Sequence, residues 1–220
     1  MHAPKDYSYL DIPYIYKKRP ALSVLKRIFD IFVAILGILI AFLPMVIIGL
    51  IVLITSGRPI IYKHKRVGKN GKLFNVYKFK SMYNDSRKLE DILTKEEYEE
   101  FKLKHKIEDD PRITPFGKFL RKSSLDELPQ LFNILKGDMS LIGPRPITLI
   151  ELEEYNENKD FLLKVRPGLT GYWTTHGRSN IENDIRMKME LYYVAKRSIW
   201  MDIKIFFKTI IVVITGKGAS

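Results

Sequence analysis

The alternation of apolar and polar positions divides the chain into one membrane segment and a remainder patterned like a water-soluble domain. Residues 31–55 are 25 consecutive uncharged positions, and all but Gly37, Pro44, Gly49 and Thr55 are apolar. A helix of that length reaches roughly 37 Å, enough to cross a hydrocarbon core of about 30 Å. A cleaved leader does not fit: the run is too long, lies too far from Met1 and is followed by Thr55-Ser56-Gly57-Arg58 rather than a small-x-small site. Pro44 splits the run into halves too short to span singly. Lys17, Lys18, Arg19, Lys26 and Arg27 precede it, and Arg58, Lys63, Lys65, Arg66, Lys69 and Lys72 follow it. Positive residues mark the cytoplasmic side, so both flanks read "inside". Two arrangements stay open: a re-entrant helix that breaks at Pro44 and returns to the same face, and a spanning helix kinked by the proline.

Elsewhere the pattern changes period. Residues 59–67 and 73–80 are rich in β-branched and aromatic residues and are joined through Gly68-Lys-Asn-Gly71, a hairpin signal. Residues 85–110 read as a charged outer helix, and 125–135, 149–155 and Asn183–Lys196 as further helices. Residues Ile199–Thr215 mix Trp200, Ile203, Phe206 and Phe207 with Lys204 and Lys208. That mixture suits an interfacial amphipathic helix, and equally a core helix of the soluble part. Residues 1–20, with four tyrosines and three prolines, read as an extended arm at the membrane interface with no fold of its own. The fold class expected is α/β, mostly helical with a small β-hairpin, divided into an arm (1–25), a membrane helix-break-helix (26–56) and a catalytic domain (57–220).

Charge adds a partner class. The chain holds 37 Lys+Arg against 25 Asp+Glu, a net charge of +12. An anionic partner follows, and the apolar segment makes membrane phosphate a better match than nucleic acid. The absence of cysteine excludes disulfides, thiolate metal sites and thiol nucleophiles. Neither a Rossmann fingerprint nor a P-loop is present, and the four histidines lack metal-ligand spacing.

What remains is a carboxylate pair with basic residues around it. In Ser124-Leu-Asp-Glu127 the serine and glutamate fit a capping box, which would make Asp126 a first-turn acid of purely structural value. The same placement, beside Arg121 and Lys122, would favour an anionic, nucleophilic Asp126. Two proline-bounded turns, Gly143-Pro-Arg-Pro146 and Arg166-Pro-Gly168, present Arg145 and Arg166 either to phosphate oxygens or to solvent.

Six stretches carry a family resemblance: Lys26-Arg-x-Phe-Asp30, Lys78-Phe-Lys-Ser-Met82, Asp110-Pro-Arg-Ile-Thr114, Ser124-Leu-Asp-Glu-Leu-Pro-Gln-Leu-Phe-Asn133, Gly137-Asp-Met-Ser-Leu-Ile-Gly-Pro-Arg-Pro146 and Arg166-Pro-Gly-Leu-Thr-Gly171. In order and spacing they resemble the bacterial sugar transferases, the monotopic phosphoglycosyl transferases, in a short form. The resemblance implies a re-entrant helix on the cytoplasmic face of a bacterial inner membrane and a catalytic Asp126-Glu127 dyad that also holds Mg2+. It implies transfer of a sugar 1-phosphate from a UDP-sugar to polyprenol (undecaprenyl) phosphate through a covalent aspartyl intermediate. Lys80, Arg121, Arg145, Arg166 and Arg178 would bind the phosphates or nucleotide, and a homodimer is left open. His64, Thr174, Glu190 and Leu43 depart from the family pattern. A non-catalytic module that binds anionic lipid is the rival reading, and it predicts indifference to Asp126.

Overall fold

The computed structural model describes residues 7–83, 94, 98, 110–177 and 181–215. The expected helix over 85–110 falls almost wholly outside them, as does Arg178. The longest element is helix α1 (Pro20–Ser56, 37 residues), which begins with proline at its first turn, where a missing N–H costs nothing. Pro44 lies inside it, and the helix is not divided there. The expected helix-break-helix is therefore corrected to one continuous element. Proline removes a single rung of the ladder, and Met45, Ile48 and Val52 just beyond it are buried in one cluster with Phe79 and Leu120, which supports the helix past that rung.

Strands β1 (Ile61–Val67) and β2 (Leu73–Phe79) form the antiparallel hairpin foreseen, paired from Ile61↔Phe79 to Val67↔Leu73. Asn70 and Gly71 in its connection both take positive φ, the conformation that Asn-Gly adopts at least cost. Helix α2 (Pro115–Ser123), a 3₁₀ turn (Leu125–Glu127) and helix α3 (Gln130–Lys136) follow. Strand β3 (Ser140–Ile142), helices α4 (Leu149–Glu153) and α5 (Lys159–Leu162) and strand β4 (Gly168–Thr170) come next. Helices α6 (Tyr172–His176), α7 (Asn183–Lys196) and α8 (Ile199–Thr215) complete the described chain.

β3 and β4 pair in parallel, Ser140 with Gly168 and Ile142 with Thr170, an element that sequence pattern did not predict. The two proline turns thus lie side by side. A Cβ on Gly168 would stand 2.1 Å from the Gly143 nitrogen, so the pairing needs glycine there.

One core joins Val67, Phe74 and Val76 of the hairpin to Leu131 and Ile134 of α3, Ile142 of β3, Tyr193 and Val194 of α7 and Ile205 of α8. Helix α1 packs on this core and on a second cluster along its length, with buried positions from Asp30 through Val52, about 33 Å of helix. Asp30 accepts hydrogen bonds from Ser140 Oγ and Leu141 N, Arg27 donates to the carbonyls of Ile134 and Leu135, and Lys26 pairs with Asp202 at 2.8 Å. The opposite side of α1 is bare, with Leu39 70% and Ile40 71% exposed.

The arm is corrected as well: it is docked rather than free. Leu10 is fully buried, Tyr9 meets Tyr192 edge-on at 5.8 Å and Tyr16 lies 4.5 Å from the Arg197 guanidinium. Helix α8 has a core side and a bare apolar side. Ile205 is in the core, while Trp200, Phe207, Ile210 and Ile211 are exposed and Phe206 touches Phe29 of α1 at 5.9 Å.

Candidate active site

The dyad sits in the 3₁₀ turn between α2 and α3. That turn exists because Ser124 is left-handed (φ 58°) and ends α2, its N–H meeting the carbonyls of Arg121 and Leu120. Ser124 makes no side-chain cap, so the expected Ser124–Glu127 capping box does not form. A capping box does form at Thr148 and Glu151, at the start of α4. Glu127 is thereby released from a structural role. Asn133, fully buried, then fixes α3 against β2: its Oδ1 accepts from Tyr77 N at 3.0 Å and its Nδ2 donates to Asn75 O at 2.7 Å. This lock brings the dyad to the last residues of β2.

There Lys78 Nζ lies 2.6 Å from Glu127 Oε1 and 3.5 Å from Asp126 Oδ2. Asp126 is buried, and burial pushes its carboxyl above the usual carboxylate range; Lys78 opposes the shift, Glu127 adds to it, and Arg121 opposes it further. The expectation that its surroundings favour the anion outright is therefore corrected, because desolvation outweighs the nearby cations. The result is a basic, poorly solvated carboxylate held beside an ammonium.

Arg121 Nε donates to Ser81 Oγ at 2.9 Å, and Ser81 in turn presses on α2, where a Cβ at Gly117 would stand 2.0 Å from its carbonyl oxygen. Lys80 does not point to the dyad interaction that Lys78 makes. Strand β2 ends at Phe79, and Lys80, buried, donates to Ser56 O at the end of α1, its pKa lowered by burial. Arg166 is also placed elsewhere. Its Nε donates to Gly137 O at 2.7 Å, so it caps the C-terminal end of α3 while the dyad lies before the N-terminal end. Of the basic residues expected to converge, Arg121 is at the dyad, Lys80 and Arg166 serve the scaffold, and Lys78 had been overlooked.

Arg145 belongs to a polar surface that continues from the dyad. Tyr62 pairs with Lys78 across the hairpin, so Tyr62, His64, Arg66 and Lys78 share a face. Arg66 donates to His64 Nδ1 at 3.3 Å and pairs with Glu151 at 2.7 Å. Burial and then Arg66 lower the His64 pKa, which keeps the ring a neutral acceptor. Arg145 and Arg186 flank the Trp173 ring at 5.4 and 5.9 Å. Trp173 and Arg186 carried no motif in the sequence and were missed.

Two adjacent oxygen donors already facing a cation suit Mg2+, which is held by one or two carboxylates and leaves its other positions to phosphate and water. Among the described residues no group of three or more His, Cys, Asp or Glu forms a fuller metal cage.

The family model for bacterial sugar transferases matches residues 21–216, nearly the whole of this scaffold. The chain belongs to that family. It is 47% identical over 202 residues to an undecaprenyl-phosphate galactose phosphotransferase of Salmonella typhimurium, covering 89% of this chain and 41% of the relative. It is 46% identical over 200 residues to the galactosyl transferase CpsE of Streptococcus agalactiae, covering 90% and 44%. An exopolysaccharide production protein, ExoY, of Sinorhizobium fredii is 42% identical over 205 residues and is covered for 90% of its length. The chain spans less than half the length of the first two relatives.

One departure from the sugar transferase pattern now has a place. Glu190 is buried, accepts a hydrogen bond from the Arg145 backbone, and is pushed up to about 7 by burial, with Arg145 and Arg186 opposing the shift; its Oε2 has no partner among the described residues. A carboxyl that binds its proton more tightly when folded contributes stability below its unfolded pKa and loses it as pH rises through the folded value. Wild-type protein should therefore lose up to about 3 kcal/mol between pH 5 and 8 that Glu190→Gln retains, read from unfolding curves at each pH. Parallel curves for the two proteins would contradict this placement.

Proposed function

We propose that this chain transfers a sugar 1-phosphate from a UDP-sugar to polyprenol phosphate, with Asp126 as the nucleophile. The observation that carries the reading is the buried Asp126 paired with Glu127 around Lys78 Nζ, an expensive arrangement with no structural work to do once the Ser124 cap is absent. Asp126 Oδ attacks the sugar-linked phosphorus, the bond from that phosphorus to the bridging oxygen breaks, and UMP leaves with the electron pair. An oxygen of polyprenol phosphate then attacks the same phosphorus and returns Asp126 as carboxylate. Lys78 and Arg121 offset the repulsion between carboxylate and diphosphate. Glu127 accepts the acceptor's proton or holds metal beside Asp126. Asp126 and Glu127 would hold magnesium, which when bound would supply further neutralisation of the phosphates.

The membrane arrangement that fits is monotopic, with α1 seated in one leaflet and both of its ends on the cytoplasmic face of a bacterial inner membrane. A spanning helix would drag its partners Phe79, Leu120, Leu131 and Ser140 into hydrocarbon, since α1 is packed against the domain over about 33 Å. A helix lying within one leaflet instead turns its bare side to lipid, beside the exposed aromatic side of α8. Reporters inserted near Leu10 and Asn70 should both be cytoplasmic, and labelling of the Leu10 site from outside would contradict the arrangement. The reaction itself is tested by UMP release from a panel of UDP-sugars with undecaprenyl phosphate and magnesium. No release with any donor would overturn it.

A further inference from the structure

A second concentration of positive charge lies at the far end of α3 from the dyad. A cleft of about 60 Å3 opens beside the first turn of α1, and Lys26, Arg27, Lys69, Lys164, Arg166 and Arg197 line it. Asp30 is the only acid in the lining, and it is occupied by Ser140 Oγ and Leu141 N. Lys26 is balanced by Asp202, which also accepts from Tyr193 OH. Arg27 and Arg197 are spent on backbone carbonyls, Arg27 on Ile134 and Leu135 and Arg197 on Val194 and Lys17. Among the described residues Arg166 donates through Nε alone, to Gly137 O. Lys69 and Lys164 have no ion pair among the described residues and are exposed at the rim.

The helix end adds to this field. Leu22 and Ser23 of the first turn line the cleft, and Arg19 at the N-cap supplies no side-chain cap. The positive end of a 37-residue helix therefore lies beside the cleft; Pro20 has no N–H and Ser23 N already donates to Arg19 O, so the helix adds its dipole rather than a row of free donors. Lys69, Lys164 and the terminal guanidinium nitrogens of Arg166 are the cations of the lining without an anion among the described residues, and their mutual repulsion is unfavourable unless it is neutralised. Tetrahedral oxyanions fit the donors of guanidinium and ammonium groups, and a helix dipole favours the negative charge.

We infer that this cleft is a phosphate-binding site separate from the dyad, taking either an anionic lipid headgroup or free phosphate. Its position favours a headgroup. The exposed Val24, Leu25, Ile28 and Phe29 of the same helix turns lie on the side of α1 away from the cleft, which puts the cleft at headgroup height if that side meets lipid. Arg166 then belongs to this site and not to the nucleotide. The inference does not rest on the transfer reaction.

The test uses the full chain in non-ionic detergent and in nanodiscs, with thermal unfolding as the readout. Inorganic phosphate against chloride at equal ionic strength forms one arm. Nanodiscs of phosphatidylcholine with and without phosphatidylglycerol form the other. The double variant K69Q/K164Q removes the two rim charges, and K63Q/K65Q removes two exposed charges from β1. Stabilisation by phosphate or by phosphatidylglycerol is expected in wild type and K63Q/K65Q, and the arm that responds names the source. In K69Q/K164Q the half-maximal concentration should rise about ten-fold or more. No stabilisation in either arm, or equal loss in both variants, would overturn the inference. Unchanged unfolding of K69Q/K164Q without ligand verifies that its fold is intact.

Discussion

Replacing Asp126 by Asn should abolish sugar-phosphate transfer, by about 10⁴-fold or more, while leaving the protein at least as stable as wild type. An amide has no anionic oxygen to offer phosphorus, so the loss falls on the chemical step and not on substrate binding. The stability half of the prediction comes from burial. Desolvation holds the Asp126 carboxyl above its ordinary range, so the folded state binds its proton more tightly than the unfolded chain does. The sign then follows: Asp126 contributes stability at acid pH and loses it as pH rises through the folded value. At neutral pH the substitution removes a penalty, and the advantage of Asp126→Asn over wild type should vanish as pH falls into the ordinary carboxylate range. Unfolding curves at several pH values together with turnover measure both halves. A residue kept only for structure would show the opposite pair, lower stability and intact turnover.

Replacing Lys78 by Met should lower turnover by about 10² to 10³-fold, the scale of losing one preorganised donor at a site of developing charge. Lys78 Nζ is the cation nearest to both dyad carboxylates among the described residues, at 2.6 and 3.5 Å. Its removal leaves Asp126 buried with only Arg121 to oppose the penalty, so stability should fall as well. Because Lys78 is 36% exposed, water screens the pair and the loss should stay at roughly 1 kcal/mol. Lys78→Arg keeps the charge, and it should recover most of the stability but less of the turnover, since the fork cannot place one nitrogen between two carboxylates in the same way. Equal turnover in the Met variant and wild type would detach Lys78 from the site.

Much of this architecture is legible in the chain, for reasons that local pattern supplies. The hairpin is announced by Asn70-Gly71 between β-branched runs, and α7 and α8 take the ranges that their periodicity sets. The misreadings come from contacts between distant residues. Strand alternation puts Lys78 and Lys80 on one face, but β2 stops at Phe79, so Lys80 turns to Ser56 while Lys78 reaches the dyad. Ser124 has the spacing of a cap and the backbone of a helix terminator, and only the close approach of α2 to the dyad turn decides between them. The proline turns around Arg145 and Arg166 read alike in sequence, yet β3–β4 pairing sends one toward Trp173 and the other to the end of α3. The residues just past Pro44 pack with Phe79 and Leu120, more than thirty residues away in the chain.

The claim on which the rest depends is that phosphorus becomes bonded to Asp126 during turnover. The direct measurement is intact-protein and peptide mass spectrometry after brief incubation with a UDP-sugar and magnesium in the absence of polyprenol phosphate, quenched in acid. The account predicts a mass increase of one sugar phosphate on the peptide carrying Asp126, formed with one equivalent of UMP and discharged when polyprenol phosphate is added. Full turnover with the acceptor present, but no adduct and no UMP without it, would contradict the account and point to direct transfer between the two substrates.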